Sequence, residues 1–418
     1  MRIVYVTVYF PFGTRETFLI PELRELRAQG HEVLIVPLRP ERGPIHPDAA
    51  ELIHCARYAP FLSLGVLRAA AVEFCRNIRS ALKIMRLFLQ PHDFRATAIN
   101  AAVIPKGLWL SAIARAWGAH HIHAYWASSA AGAALIAGEC TGIPWSFTGH
   151  RHDIAAGNLL AEKMRHAAFA RMISASGLRM LRSVDPHLLS KAFVGHLGIP
   201  IPPLPSPREK AGGTLTALCP ANMVAVKGHS YLIEAMAMLR NAGVDMKLWL
   251  AGDGELRGQI ERKVRELHVQ DSVRFLGHLP HQTLLSLYRD GEVDMVVLPS
   301  LDLGNGHHEG IPVALMEPMA YAIPVVATNT GGIPELIGDG AGLLVEPSNP
   351  RELAGALAKL ANNAGVRTSL GLAGRKRVEQ SFEITQMVRG LVGRFDQSAS
   401  AGETRPAPAT SVIERIAS

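Results

Sequence analysis

Short runs of β-branched residues alternate with segments of helical spacing along almost the whole chain, and the alternation breaks once. That pattern restricts the fold to α/β with parallel sheets, because strands joined by helical crossovers run in the same direction. RIVYVTV (2–8) and HEVLIVPL (31–38) flank the helical segment FLIPELRELRAQG, which ends at Gly30. HHIHAYW (120–126), a small-residue helix over 127–140, PWSFTGHRHD (144–153), RMISAS and FVGHLGI continue the series. Residues 199–213 then carry five prolines and no period, the composition of a linker. A second series opens at TLTALCPAN (214–222) and KGHSYLIEAMAMLRNAG, with strands DMKLWLAG, VRFLGHL, DMVVLPS, IPVVATN and AGLLVEP. Helical segments over 349–363, 366–380 and 384–395 close it, and the Pro/Ala-rich tail from Gln397 reads as disordered.

With 418 residues the chain exceeds one ordinary core. The expected division is a domain over 1–200, a linker over 201–213, a domain over 214–380, a helix over 381–396 and a tail over 397–418. Cys55, Cys75, Cys140 and Cys219 are far apart and form no metal-ligand spacing; they read as buried thiols of a reducing cytosol. The net charge of +7 suits acidic substrates or an anionic lipid surface, and no nucleic-acid-binding motif accompanies it. MRIVYVTVYF lacks the features of a signal peptide, and no uninterrupted apolar run of about 18 residues marks a membrane span. AGDGELR has Arg257 where a third glycine would complete the dinucleotide fingerprint, which argues against a nicotinamide cofactor.

The chemistry concentrates in NGHHEGIPVALMEPMA (305–320). A helix starting at Pro312 would leave the amides of Val313 and Ala314 free, with the positive end of the dipole behind them: an anion site. Glu317 would lie one turn behind Val313, roughly 6 Å along the axis. A diphosphate at the tip would set a ribose beside Glu317 and a sugar beside Glu309, so the spacing fits a nucleotide sugar. Pro318 inside that helix implies a short, bent element.

Three features keep two readings each. The segment from Leu64 to Gln90 reads as one helix with Arg68, Arg76, Arg79, Lys83 and Arg86 on one side. Leu67, Phe74, Ile78, Leu82, Met85 and Leu89 fall on the other. The basic side is either a solvated face or a contact with anionic membrane. His150 ends a strand at a ligand-binding edge, or is a structural hydrogen-bonder. Gly331 and Gly332 permit close approach of a ligand, or form a plain turn.

In order and spacing, YFPFGTRETF, GHEV, HIHAYW, IPWSFTGHRHDI, VKGHSYLIEA, AGDGEL, VRFLGHL, EGIPVALMEPMA and GGIPEL resemble the retaining GT-B glycosyltransferases of family GT4. The resemblance implies two Rossmann-like domains facing across a cleft, with the final helix crossing back to the N-terminal one. It implies transfer of a sugar from a nucleotide diphosphate to an acceptor hydroxyl with retention and without a metal, in cell-surface polysaccharide or glycolipid synthesis. Apart from the resemblance, the basic face of the 64–90 segment and the +7 charge suggest an enzyme of the cytoplasm, peripheral at the inner membrane face, with a sugar or lipid-linked acceptor. By the resemblance, Lys227 would contact the diphosphate, Glu309 and His150 the donor sugar, and Glu317 the ribose. Gly310, Ile311, Val313 and Ala314 would border the donor, and the loop holding Gly13, Thr14 and Glu16 the acceptor. Asn222 stands where the family commonly has an arginine, and Ile311 and Pro312 replace the usual aromatic and second glycine. A nucleotide-sugar epimerase and a catalytically silent nucleotide-sugar-binding subunit are the alternatives.

Overall fold

The structure, a computed structural model, describes residues 1–403 except 14–15, 40–44, 46, 90–93, 185, 205–212, 305–307 and 339. Thr14, most of the proline-rich linker and the first residues of the 305–320 stretch therefore lie outside the described residues. The chain divides into two compact units: Met1–Met172 with Met180–Gly195 and Val388–Ser418, and Ile173–Arg179 with His196–Met387.

The first unit runs β1 (Arg2–Thr7), α1 (Ile20–Ala28), β2 (Glu32–Pro37), α2 (Leu64–Arg76), α3 (Ile78–Phe88) and α4 (Phe94–Trp117). It continues through β3 (His121–Ala124), α5 (Ser129–Thr141), β4 (Trp145–Gly149), α6 (Arg151–Ala156), α7 (Leu160–His166) and β5 (Phe169–Met172). α8 (Ala175–Val184), which groups with the second unit as far as Arg179, and β6 (Ala192–Val194) follow. The sheet is parallel throughout, in the order β2-β1-β3-β4-β5-β6. Every residue of β1 after Arg2 is buried, as expected of a strand covered on both faces.

The segment read as one helix over 64–90 is two. Asn77, at φ −126° and ψ 41°, separates α2 from α3. The inward residues are Val66, Ala70 and Glu73 in α2 and Ala81, Ile84 and Phe88 in α3. Leu67, Ile78, Leu82 and Leu89, which periodicity sets opposite the cations, are exposed. α4 has the length and apolar composition of a membrane-crossing helix, but it packs against α2 and α5 as the central helix of the unit. Apolar residues fall on all its sides and Pro105 lies within it, so periodicity does not reveal it.

The second unit runs β7 (Leu215–Pro220), α9 (His229–Asn241), β8 (Met246–Ala251), α10 (Arg257–Glu266), β9 (Val273–Gly277), α11 (His281–Arg289) and β10 (Met295–Leu298). Next come α12 (Val313–Ala320), β11 (Val325–Thr328), α13 (Ile333–Ile337), β12 (Leu343–Val345), α14 (Pro350–Asn362) and α15 (Ala364–Ser381). This sheet is also parallel, in the order β12-β11-β10-β7-β8-β9, the arrangement of dinucleotide-binding folds. Its direction of winding reverses between β7 and β10.

The last helix, α16 (Ile384–Glu403), starts in the second unit and from Val388 belongs to the first. Phe395 packs on His121, His123 and Phe169 with ring centroids at 4.6, 5.3 and 5.8 Å. Residues 397–403, expected as the start of a disordered tail, are helical; Ser398 Oγ bonds His121 Nδ1 at 2.9 Å. Cys140 and Cys219 are buried as expected, whereas Cys75 is exposed and Cys55 half-buried.

Candidate functional site

Ligands of open parallel sheets bind beyond the carboxyl ends of the strands, where the winding reverses. In the second unit that point lies between the loops after β7 and β10. Ala225–Lys227 forms one 3-10 turn after β7, and Gly228 reverses the chain at φ +62°. A Cβ there would overlap Pro299 O of the other loop, so only glycine fits. Leu301 N donates to Val226 O at 2.7 Å, which joins the two loops. The junction places Lys227 Nζ in an ion pair with Glu309 Oε1. Ser300, fully buried, sets its Oγ 3.4 Å from the same oxygen. The Lys227 side chain stays one-fifth exposed. An ammonium has three donors, so two remain for an anion.

The backbone of Glu309 is held independently of its carboxylate. Its carbonyl accepts from Gly332 N at 3.2 Å and lies 2.8 Å from His308 Nδ1. Gly331, at φ +59°, passes so close that a Cβ would overlap Glu309 O. The glycine pair therefore makes way for the Glu309–Gly310 backbone.

α12 begins at Val313, with Pro312 as its extended N-cap at φ −80° and ψ 121°, one residue later than expected. Leu315 N and Met316 N both turn back to Pro312 O, at 3.0 and 3.3 Å. The amides of Val313 and Ala314 precede them and find no carbonyl within the helix. Ile311 is buried under the loop and Gly310 half-buried. Pro318 lies within the eight-residue helix and accepts from Tyr321 N and Ile323 N, both at 3.0 Å.

Glu317 is largely buried and meets His281 Nε2 at 2.6 Å. His281 is the first residue of α11, delivered beside α12 by the β9–α11 loop. Asn222, in the loop after β7, is exposed. Its chain neighbour Met223 is fixed by donating to Asp253 O at 2.9 Å. Burial of the Tyr288 hydroxyl, followed by the charge of Glu317, raises that phenol well above its ordinary value.

The first unit sets its candidate residues at its own reversal point, between β1 and β3. Glu16 is buried there. It accepts from Val8 N at 3.2 Å, from Tyr9 N and Phe10 N at 2.6 Å, and from the Trp126 indole. The carboxylate expected to border an acceptor is thus engaged in shaping the loop, which turns at Gly13 with φ +71°. His150 lies one residue beyond β4 as the N-cap of α6, stacked on Trp126 at 4.2 Å and close to Tyr125 at 5.3 Å. Its N–H donates to Asp153 Oδ1 at 2.8 Å, while neither ring nitrogen has a hydrogen-bond partner. Burial, and then the Arg171 charge, push its imidazole down to about 3, so it is neutral at physiological pH.

Ser300, His281, His308 and Trp126 carry no sequence signal of their own. Ser300 and His308 share the loop of Glu309, whereas His281 comes from the start of α11 and Trp126 from the loop after β3.

Two parallel six-stranded sheets in series, with the last helix belonging to the first unit, define the GT-B class. A glycosyltransferase from Rickettsia africae matches over 95% of this chain and 98% of its own, with TM-score 0.70 and 17% identity. Anabaena HepE, solved with UDP, matches over 95% and 100%, with TM-score 0.69 and 16% identity. Residues 204–377 match the family model for glycosyl transferases group 1. The amylovoran biosynthesis glycosyltransferase AmsK of Erwinia amylovora is 35% identical over 42% of this chain and 43% of its own. A GDP-mannose-dependent phosphatidylinositol monomannoside mannosyltransferase of Corynebacterium glutamicum is 32% identical over 42% and 46%. The chain thus spans less than half the length of these curated relatives.

Proposed function

We propose that this chain is a glycosyltransferase that moves a sugar from a nucleotide diphosphate to an acceptor hydroxyl in cell-surface polysaccharide or glycolipid synthesis. The observation that carries the reading is Lys227, the free α12 amides and Glu317 in sequence along one strand-end site of the second unit. AmsK and the colanic acid glycosyltransferase WcaL, both relatives of this unit, support the polysaccharide setting by name. HepE was solved with UDP and with UDP-glucose, which supports a nucleotide-sugar donor.

In this reading the amides of Val313 and Ala314 and the two spare donors of Lys227 hold the diphosphate, and Glu317 accepts from ribose hydroxyls. As the bond from the anomeric carbon to the diphosphate breaks, its electrons pass to the leaving oxygen. Preorganised donors aimed at that oxygen are the largest catalytic contribution, about 3–4 kcal/mol for a good one. Glu309 faces the sugar with its backbone fixed by Gly332 and His308. The acceptor oxygen bonds the anomeric carbon from the leaving-group face, a phosphate oxygen takes its proton, and configuration is retained. No metal is assigned a role. His150 is kept as a candidate on the family resemblance alone; its neutral ring suits a hydroxyl partner.

The test is donor turnover with and without acceptor, after a thermal-shift screen of nucleotide sugars has found the donor. Acceptor-dependent release of nucleoside diphosphate is expected. Conversion of the donor sugar without acceptor would assign an epimerase, and binding without turnover a silent subunit.

A further inference from the structure

Of the fifteen large hydrophobic side chains exposed among the described residues, eight lie within residues 58–89 of the first unit. Leu64 is 73% exposed and Leu62 60%. On α3, Ile78, Leu82 and Leu89 form one outward stripe, and Arg79, Lys83 and Arg86 form the stripe beside it. α2 presents Leu64, Leu67 and Val72 with Arg68 and Arg76 among them. The acid of this segment, Glu73, is buried and taken up by Arg76 at 3.0 Å and Arg115 at 3.2 Å. Arg68, Arg79 and Arg86 make no ion pair among the described residues; Lys83 shares Glu139 at 3.4 Å.

We infer that the outward faces of α2 and α3 together form a membrane-docking surface that inserts its leucines among the acyl chains of an anionic bilayer while its cations meet the headgroups. An apolar stripe flanked by a cationic one is what an interfacial helix requires. The leucines are exposed in this protein because the helices bury another face, carried by Val66 and Ala70 in α2 and by Ala81, Ile84 and Phe88 in α3. A symmetric contact between two copies would set five cations against the same five, whereas anionic lipid supplies the opposite charge. An acceptor carried by lipid would be met on this surface, but the docking itself does not depend on the transfer reaction.

The full chain is sedimented with phosphatidylcholine vesicles and with mixed phosphatidylcholine–phosphatidylglycerol vesicles, at low and high salt. Wild type should bind the mixed vesicles. R79Q/K83Q/R86Q should lower partitioning on the order of a hundredfold at low salt, about fivefold per cation. L67D/L82D should lower it by roughly tenfold or more at both salts, since the leucine contribution is not screened. The sites of both variants are exposed, so melting temperatures should stay at the wild-type value. No preference for the mixed vesicles, or wild-type binding by both variants, would overturn the inference. So would a dimer that L67D/L82D dissociates in the absence of vesicle binding, which would give the face to a second copy. Sedimentation reads neither donor nor product, so this test can fail while the transferase reading stands.

Discussion

At the reversal point of the first sheet, Glu16 commits both carboxylate oxygens to three backbone amides and an indole. At the reversal point of the second, Glu309 meets Lys227 and a long contact from Ser300, while two helix amides and two ammonium donors remain. Both loops follow the same topology and both hold a glutamate. The first uses its polar capacity to fix its own shape, and the second keeps part of it for an anion. A carboxylate at such a point is thus identified as scaffold or site by counting the donors that already reach it.

The comparison breaks most visibly in opposite readouts. Lys227→Ala should lower turnover by about a hundredfold to a thousandfold, the effect of losing one preorganised donor, at an almost unchanged melting temperature. Glu16→Ala should do the reverse within its unit. It leaves buried amides without an acceptor and should cost about 3 kcal/mol of stability in urea unfolding, while nucleoside diphosphate affinity is retained.

Acid should separate the units. Burial lowers His121 and His150 to about 3 and His123 well below its ordinary value, all in the first unit. The unfolded chain binds these protons as pH falls below about 6.5, so the folded state loses stability there. Asp153, raised to about 7 by burial, works against them over the same range, because its folded form binds the proton first. The balance is a loss of first-unit stability as pH falls between roughly pH 6 and 4. Among the described histidines of the second unit one is lowered in this way, His229, to about 4, and that unit should lose less. Hydrogen exchange resolved by unit at pH 7 and pH 5 checks this; equal loss in both units would contradict it.

The ribose assignment sharpens with a smaller effect. Glu317→Ala should weaken nucleoside diphosphate binding by about 1.5–3 kcal/mol by calorimetry. Unchanged affinity would remove Glu317 from the site. Asn222→Arg should be smallest, a few-fold rise in turnover from adding a cation beside the diphosphate.

What the sequence revealed follows from how local each cause is. Glu309, the α12 amides and Glu317 are legible because they share one stretch, and Pro312 marks the helix start to within one residue. Lys227 gained its partner only through Gly228 and Pro299, an approach between loops seventy residues apart. His281 is equally invisible, since it reaches Glu317 from the start of another helix. Over residues 64–90 the period set the leucines opposite the cations, whereas the structure exposes both and buries a different face, that of Val66, Ala70, Ala81, Ile84 and Phe88. That choice belongs to the packing of the two helices against α4 and α5.

The most direct measurement is calorimetric titration of uridine and guanosine diphosphates into wild type and Lys227→Ala, each with a melting curve. The account predicts that one nucleotide binds wild type and binds the variant at least about tenfold more weakly, because a charge-assisted hydrogen bond is lost. Both proteins should melt alike. Equal binding by the two, or binding by neither, would contradict a diphosphate site at Lys227 and the α12 helix tip.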